Sequence, residues 1–448
     1  MKRVAIIGGG FAGLAAGVDL AERGFDVTVL EARPRLGGRA YSFHDERSGA
    51  TIDNGQHAMM GCYTHTLEFL ARIGGSRGLV RQPNLRVALL HPTRGRGAIA
   101  CPALPGPLHA LAGVLRYRLL ERRERLRALV GGMAMLAMRR RRDARLESLT
   151  IAELLRSLGQ SANARQSFWN PIAIATCNEA PERAAAGPFA EVMALAFFGS
   201  RAASQFVFSR VGLSELYTGL AQRAIERRGG RVASRAQVKH LRLHDGRVAA
   251  LELVDGTPVE LDACVSALPP EALRPLLDGC GLAGEPCFRG IAELESSPIV
   301  SAHLWFDRPL LEEDFVGLLE RTTQWVFDRR RLAEGLPGKC LSAVISAGRE
   351  VAAWESSAIS ETIVGDLRAV LPEARKARLE HSVVIKEKRA TISTTPAAEK
   401  LRPQCATPIP NLFLAGDWTA TGLPPTIESA VASGNRAAAL AAAQLAGN

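Results

Sequence analysis

Gly8, Gly10 and Gly13 stand at the G-x-G-x-x-G spacing, and Glu31 follows eighteen residues after the last of them. These residue types at this spacing suit a dinucleotide. Gly8 permits a tight turn, Gly10 lets the backbone approach a pyrophosphate, and Gly13 lets a helix lie close on the preceding strand. The phosphates then meet unpaired N–H groups and the positive end of the helix dipole. Glu31 stands where a carboxylate accepts both ribose hydroxyls. The flanking residues supply the elements. Val4, Ile6 and Ile7 give a short β-branched run; Leu14, Ala15, Val18, Leu20 and Ala21 give a helical pattern that stops at Gly24; Val27 to Leu30 is a second apolar run. The expected unit is strand, turn, helix, strand. Lys2 and Arg3 before an apolar run also suit a signal peptide, but the glycines, Asp19 and the lack of a small-residue cleavage site favour the dinucleotide unit.

A second glycine turn, Gly37-Gly38-Arg39, follows directly on the ribose acid, where an NAD enzyme has no use for one. Glu31-Ala32-Arg33 with Leu36-Gly37-Gly38-Arg39 resembles the flavoprotein amine oxidase and phytoene desaturase superfamily. The resemblance implies non-covalent FAD, with Arg39 on the pyrophosphate beside Gly38. It also implies that Asp53-Asn54-Gly55-Gln56-His57 brings backbone near the flavin ring. Gly55 would allow the approach, and Gln56 and His57 would reach the ring or the substrate. Val238 corresponds to the residue whose backbone meets the adenine. Near the C-terminus, Leu412 to Ala415 reads as a strand running into Gly416-Asp417, then a proline-rich turn and a helix from about Thr426. In this class the acid after that glycine binds a ribityl hydroxyl, which assigns Asp417. Thr426, Ile427 and Glu428 would then lie near the flavin, at a helix N-terminus that stabilises negative charge on the reduced ring.

The stretch DNGQHAMMGCYTHTLEFL, residues 53–70, most resembles the hydroxysqualene dehydroxylases, also called squalene-associated FAD-dependent desaturases. The resemblance covers nearly the whole chain and is most specific at residues 4–75 and 411–436. It implies replacement of the hydroxyl of hydroxysqualene by hydrogen, giving squalene for hopanoid or triterpenoid biosynthesis. NADPH would be the external donor, and upstream squalene-pathway enzymes would be partners. His57 is the candidate proton donor to the leaving hydroxyl. Phe168 to Pro171 and Cys177 to Pro181 resemble a helix and turn that line the family's substrate cavity. Phe189, Met193, Phe197 and Phe198 follow at helical spacing, as core or as channel lining.

The other elements have to position these groups. The chain of 448 residues is long enough for two domains with sizeable cores. The expected fold is α/β: a Rossmann-type FAD-binding domain from 1–78, 205–290 and 396–448, interleaved with an α+β substrate-binding domain from 79–204 and 291–395. Asp245-Gly246 and Asp255-Gly256 signal hairpins. The net charge of +11 and pI near 9.6 suggest an anionic surface as partner. Aromatic residues make up only 5%, and no nucleic-acid-binding signature is present, so nucleic acid is not expected. Between Arg116 and Arg145 eleven arginines stand against three acids, which places +8 of the net charge in one stretch. Ala128 to Met138 is apolar between two arginine clusters. The region 107–145 therefore suits a helical pair lying on an anionic membrane, peripherally and from the cytoplasmic side. The competing reading is a solvated face with a core-facing stripe. The eight cysteines form no C-x-x-C and have no histidine at zinc spacing, so reduced thiols and no metal are expected. The longest apolar stretches fall short of the roughly 20 residues that span a bilayer.

Three rivals share these motifs. A carotenoid or phytoene desaturase would run the same fold oxidatively; the stretch from Asp53 to Tyr63 and the chain length argue for the dehydroxylase. An amine oxidase usually cages the amine between aromatics, and Tyr41, Tyr63, Tyr117 and Tyr217 are the only tyrosines, with Trp418 alone beside the C-terminal motif. A non-catalytic flavoprotein or membrane-bound assembly factor would keep the FAD motifs but lack a deep apolar tunnel.

Overall fold

Val4, Ile6, Val27, Val29 and Val265 are fully dry because their strands run side by side in the middle of one parallel sheet. The structure, a computed structural model, describes residues 1–333 and 339–447. The sheet has five strands in the order Arg231–Ser234, Asp26–Glu31, Arg3–Ile7, Ala263–Ser266 and Leu412–Leu414, all parallel. Its strands come from three distant parts of the chain, yet their carboxyl ends share one edge. In such sheets that edge, at the reversal of strand order, is where ligands bind.

Both faces of a parallel sheet must be covered. Helices Phe11–Glu22, Gly219–Glu226 and Ile427–Ala446 cover one face. The first and last touch backbone to backbone: a Cβ on Gly434 would lie 2.2 Å from the Ala12 carbonyl oxygen. The other face carries the antiparallel meander Val238–His244, Arg247–Leu253, Pro258–Glu260 and the helix Pro270–Gly279. Asp245 and Gly246 both take positive φ, as the expected two-residue hairpin turn requires.

A second, mixed sheet has seven strands: Leu379–Ile392, Ser296–Phe306, Cys340–Ser346, Trp325–Asp328, Phe315–Leu318, Arg86–His91 and Gly95–Ala100. Val300, Ala302 and Leu304 point from it into a core shared with helix Ser356–Val370. The alternate residues face the first sheet's open edge. A small sheet of Ala58–Met60, Phe206–Ser209 and Leu79–Arg81 lies between the two halves.

Helices from Leu108–Leu115 to Ala186–Phe197 form the remaining layer. Arg122–Arg140 is one continuous helix opened by a capping box of Glu121 and Glu124. Its inward stripe is Ala128, Gly131, Gly132, Met135 and Met138. Among the described residues no helix is long and apolar enough to cross a membrane. The amphipathic segment after Val211 begins as a π-turn, Ser214–Thr218, before its α-helix. Strand Leu379–Ile392 pairs along nearly all of Ser296–Phe306.

Candidate active site

A single cavity of about 1540 Å³ runs from the carboxyl edge of the parallel sheet to helices Leu108–Leu115 and Arg122–Arg140. Pockets for one small ligand commonly hold about 300–1,000 Å³. This one has room for two ligands end to end.

Its polar end is built by the first glycine turn and its neighbours. Gly8, Gly10, Glu31, Gly38, Arg39, Gly416, Asp417, Thr426 and Ile427 all line the wall. Gly8 adopts φ +108°, open to glycine alone. Gly10 faces only the Gly37–Gly38 turn at 3.8–3.9 Å, so a side chain there would fill the gap between the two glycine turns. Gly13 does not reach the cavity. Its role is packing: a Cβ there would lie 1.9 Å from the Gly8 carbonyl oxygen. Helix Phe11–Glu22 starts at Gly10 without a side-chain cap and without an acid in its first turn. Its end is free for an anion. Glu31 is fixed by the backbone N–H groups of Gly9 and Arg33, at 2.8 and 2.9 Å, which leaves the carboxylate at the strand end. Arg39 pairs with Asp417 and donates to the Ala390 carbonyl at 3.1 Å. A turn that a Cβ would fill, an uncapped helix start, a strand-end carboxylate and a half-buried arginine together fit FAD.

Val238 pairs with Leu253, and its side chain is buried in the core beneath the meander, off the cavity wall; the expectation for it concerns its backbone. One expected contact is corrected. Glu428 does not face the cavity. Its carboxylate turns to helix Thr64–Ile73 and accepts from the His65 and Thr66 N–H groups at 2.9 Å each and from the Thr66 hydroxyl at 2.7 Å.

The middle of the cavity is held by Asp53 to His57. Asn54 receives the Tyr41 N–H and donates to the Arg39 carbonyl, at 3.2 and 2.9 Å. Asp53 accepts from the Ser42 hydroxyl and the Leu213 N–H, at 2.7 and 2.9 Å. Two residues absent from the sequence reading complete the support. Arg329 is buried, donates to the Gln56 side-chain oxygen at 2.6 Å and lies 3.8 Å from the Asp53 carboxylate. His303 Nε2 meets the Asp53 carbonyl at 2.8 Å, and burial drops its pKa to about 4. His57 lines the cavity beside Gly55 and Gln56, and its Nε2 has no partner among the described residues. Burial lowers its pKa, Asp53 opposes this, and Arg329 adds to the lowering. At neutral pH His57 is therefore an uncharged imidazole. In that form it is a hydrogen-bonding group at the cavity wall. Arg329 carries no local motif. His303 was legible in principle, because Ser301, His303 and Trp305 alternate with apolar residues along one strand.

The far end is apolar. Phe168, Trp169 and Pro171 line it, and so do Met193, Phe197 and Phe198; Phe189 is instead core, edge-on to Trp169 at 6.3 Å. Phe206, Phe315, Trp325 and Phe327 form the wall toward the mixed sheet, with Phe315 and Phe327 stacked at 5.4 Å. The turn after Cys177 is a clamp. Asn178, at φ 49°, donates to the Ser297 carbonyl and to Thr391 Oγ1. Glu179 is buried against Arg349 and Ser393; the hydrogen bonds from these two overcome its burial and lower its pKa. The cavity mouth lies between helix Leu108–Leu115 and the arginine-rich helix Arg122–Arg140, where Leu111 and Met133 both line the wall and stand exposed.

Residues 11–442 match the family of flavin containing amine oxidoreductases. The chain is 30% identical over 458 residues to a hydroxysqualene dehydroxylase of Sinorhizobium fredii, covering 98% of each. It is 30% identical over 447 residues to the hydroxysqualene dehydroxylase of Rhodopseudomonas palustris, again covering 98% of each. A zeta-carotene desaturase of Synechocystis is 27% identical over 97% of this chain and 96% of that one. In structure the chain resembles cyclohexylamine oxidase from Brevibacterium oxydans, with TM-score 0.68 and 19% identity over 99% of each chain. An oxidoreductase from Methanosarcina mazei gives TM-score 0.73 and 17% identity over 96% of this chain and 98% of that one. At such identities the structures speak for the fold alone.

Proposed function

The chain belongs to the flavin containing amine oxidoreductase family, with hydroxysqualene dehydroxylases as relatives along its whole length, and from that premise we propose that it converts hydroxysqualene to squalene. It is an FAD-dependent oxidoreductase. The observation that carries the substrate is the continuity of the dinucleotide cradle with a long, aromatic-walled apolar cavity. Squalene-type chains bury well there, at about 0.8 kcal/mol per CH₂.

Bound in reduced form, FAD supplies a hydride. The substrate loses its hydroxyl, which takes up one proton and leaves as water; the hydride replaces it on carbon, so two electrons and two hydrogens balance. The chain's own residues place the reactants and exclude water. The rings of Phe315, Trp325 and Phe327 border the apolar end, where aromatic π-systems would stabilise positive charge on an allylic carbon as the C–O bond breaks. The Arg39–Asp417 pair and Glu31 hold the cofactor's polar half. NADPH is the proposed external donor. We assign the FAD half to 1–78, 205–290 and 396–448, and the substrate half to 79–204 and 291–395.

The same reading includes membrane docking. On helix Arg122–Arg140, Leu126, Val130 and Met133 are 58%, 60% and 53% exposed, and Leu108, Leu111 and Leu115 repeat the pattern on the neighbouring helix. Arginines flank this apolar face, and it meets the cavity mouth. A hydrocarbon substrate would pass there from an anionic bilayer into the protein.

The test is anaerobic. Flavin-loaded protein is reduced with dithionite, mixed with hydroxysqualene in detergent, and followed by flavin absorbance and product mass. Reoxidation with stoichiometric squalene is expected. A flavin that stays reduced, with oxidised protein bleached by a polyene precursor, would move the chain to the desaturases.

A further inference from the structure

We propose that Ser301, with His57 beside it, forms the docking point for the hydroxyl of the substrate. The inference rests on the reading of the substrate as an alcohol with a long hydrocarbon chain.

Ser301 stands in the middle of strand Ser296–Phe306, on the face opposite Val300 and Ala302. Ile299 and Ser301 line the cavity from this face, while the next residue on it, His303, is fastened to the Asp53 carbonyl. That bond pins the strand against the segment Asp53 to His57. In consequence the Ser301 hydroxyl and His57 Nε2 converge on Gly55: a Cβ there would lie 3.0 Å from Ser301 Oγ and 3.9 Å from His57 Nε2. Neither atom has a hydrogen-bond partner among the described residues.

Several of the other polar groups nearby are already engaged. The Gln56 oxygen receives Arg329, the Asn54 side chain bonds at both ends, and the Asn178 amide is held by Ser297, Thr391 and Ala347. Ser301 and His57 therefore offer one O–H donor and one ring nitrogen at the junction of the polar and apolar ends. A single alcohol on a hydrocarbon matches that pair. The hydroxyl oxygen accepts from Ser301 Oγ–H, and His57 takes the second hydrogen bond. A free Oγ–H left facing apolar chain is penalised, so the site favours the alcohol over the product alkene and releases product.

Ser346 supplies the control. It lines the same cavity on the adjacent strand, opposite Ile299, but away from Gly55. The holoenzyme, Ser301→Ala and Ser346→Ala are each titrated with hydroxysqualene and with squalene in detergent, read by tryptophan fluorescence. The intact enzyme is expected to bind the alcohol about tenfold more tightly than the alkene. Ser301→Ala is expected to bring the two within about twofold by weakening the alcohol alone, and Ser346→Ala to keep the preference. Single-turnover flavin reoxidation is run alongside. If the intact enzyme converts hydroxysqualene and Ser301→Ala keeps the full preference, or the intact enzyme shows none, the docking point is wrong and the reaction stands. If the intact enzyme converts no hydroxysqualene at all, the reading of the reaction falls, and this proposal with it.

Discussion

His303 is the residue where position and titration are most tightly joined. It is fully buried, bonded to the Asp53 carbonyl, and its pKa falls from 6.5 to about 4 because burial disfavours the charged ring. The sign follows from proton binding. Between pH 6.5 and 4 the unfolded chain protonates this histidine and the folded chain does not, so stability is complete above pH 6.5 and declines as pH falls through that window. The full decline is on the order of 3 kcal/mol. His57 shifts in the same direction and adds to it. The carboxylates Asp45 and Glu179 are held below their ordinary values and act only further down. Thermal unfolding midpoints should therefore drop between pH 6.5 and 5, and His303→Gln should flatten that drop. An unchanged slope in the variant would remove His303 as its source. At this scale the sequence was legible where spacing is local, as for Gly8, Gly10, Glu31 and Arg39. It was silent where partners lie far apart. Gln56 and Arg329 are separated by 273 residues, and Asp53 and His303 by 250, so no local pattern announces either pair.

At the scale of elements, the two helices that meet behind the cofactor end depend on one carboxylate. Helix Thr64–Ile73 begins at Tyr63, which supplies no side-chain cap. Its first N–H groups are satisfied instead by Glu428, from the first turn of Ile427–Ala446, so one negative charge serves the positive ends of two helix dipoles. The same turn carries Thr426 and Ile427 to the cavity wall. Glu428→Ala takes the acceptor from four donors, the His65 and Thr66 N–H groups and the Thr64 and Thr66 hydroxyls, and a loss of about 3 kcal/mol or more follows from the usual penalty for each. Denaturant unfolding of the variant should show this loss together with weaker flavin retention; stability within 1 kcal/mol of the parent would refute the tie. Strands show the same division of legibility. Cys340–Ser346 lies where its apolar run places it. Leu379–Ile392 is less legible at its ends, where an edge strand exposes polar side chains such as Glu380 and Arg389. Arg231–Ser234 is short and polar for the same reason, and only its pairing with Asp26–Glu31 makes it a strand.

Taken as a whole, the molecule puts its excess charge and most of its exposed large apolar side chains in the same place, around the entrance to the cavity. The eleven arginines between Arg116 and Arg145 could be read from the sequence, but not which apolar residues of the stretch face outward. The fold decides this: Ala128, Met135 and Met138 turn inward, and Leu126 and Val130 stay exposed although neither lines the cavity. Docking on a bilayer would bury these two side chains, at about 1.5–3 kcal/mol each on full burial. The arginines near the surface would add about 1 kcal/mol apiece. The two contributions respond to different variables. In sedimentation with vesicles of mixed zwitterionic and anionic lipid, raising the salt from 0.1 to 1 M shortens screening from about 10 to 3 Å and should weaken the arginine part alone. The double variant Leu126→Asp/Val130→Asp should lose binding at both salt concentrations by at least about a hundredfold, given the apolar burial removed. Because both positions lie outside the cavity, turnover of detergent-dissolved substrate should stay at the parent's rate while turnover from vesicles falls. Unchanged vesicle binding by the double variant would place docking elsewhere on the surface. A parallel loss in detergent would mean that the helix itself had been disturbed.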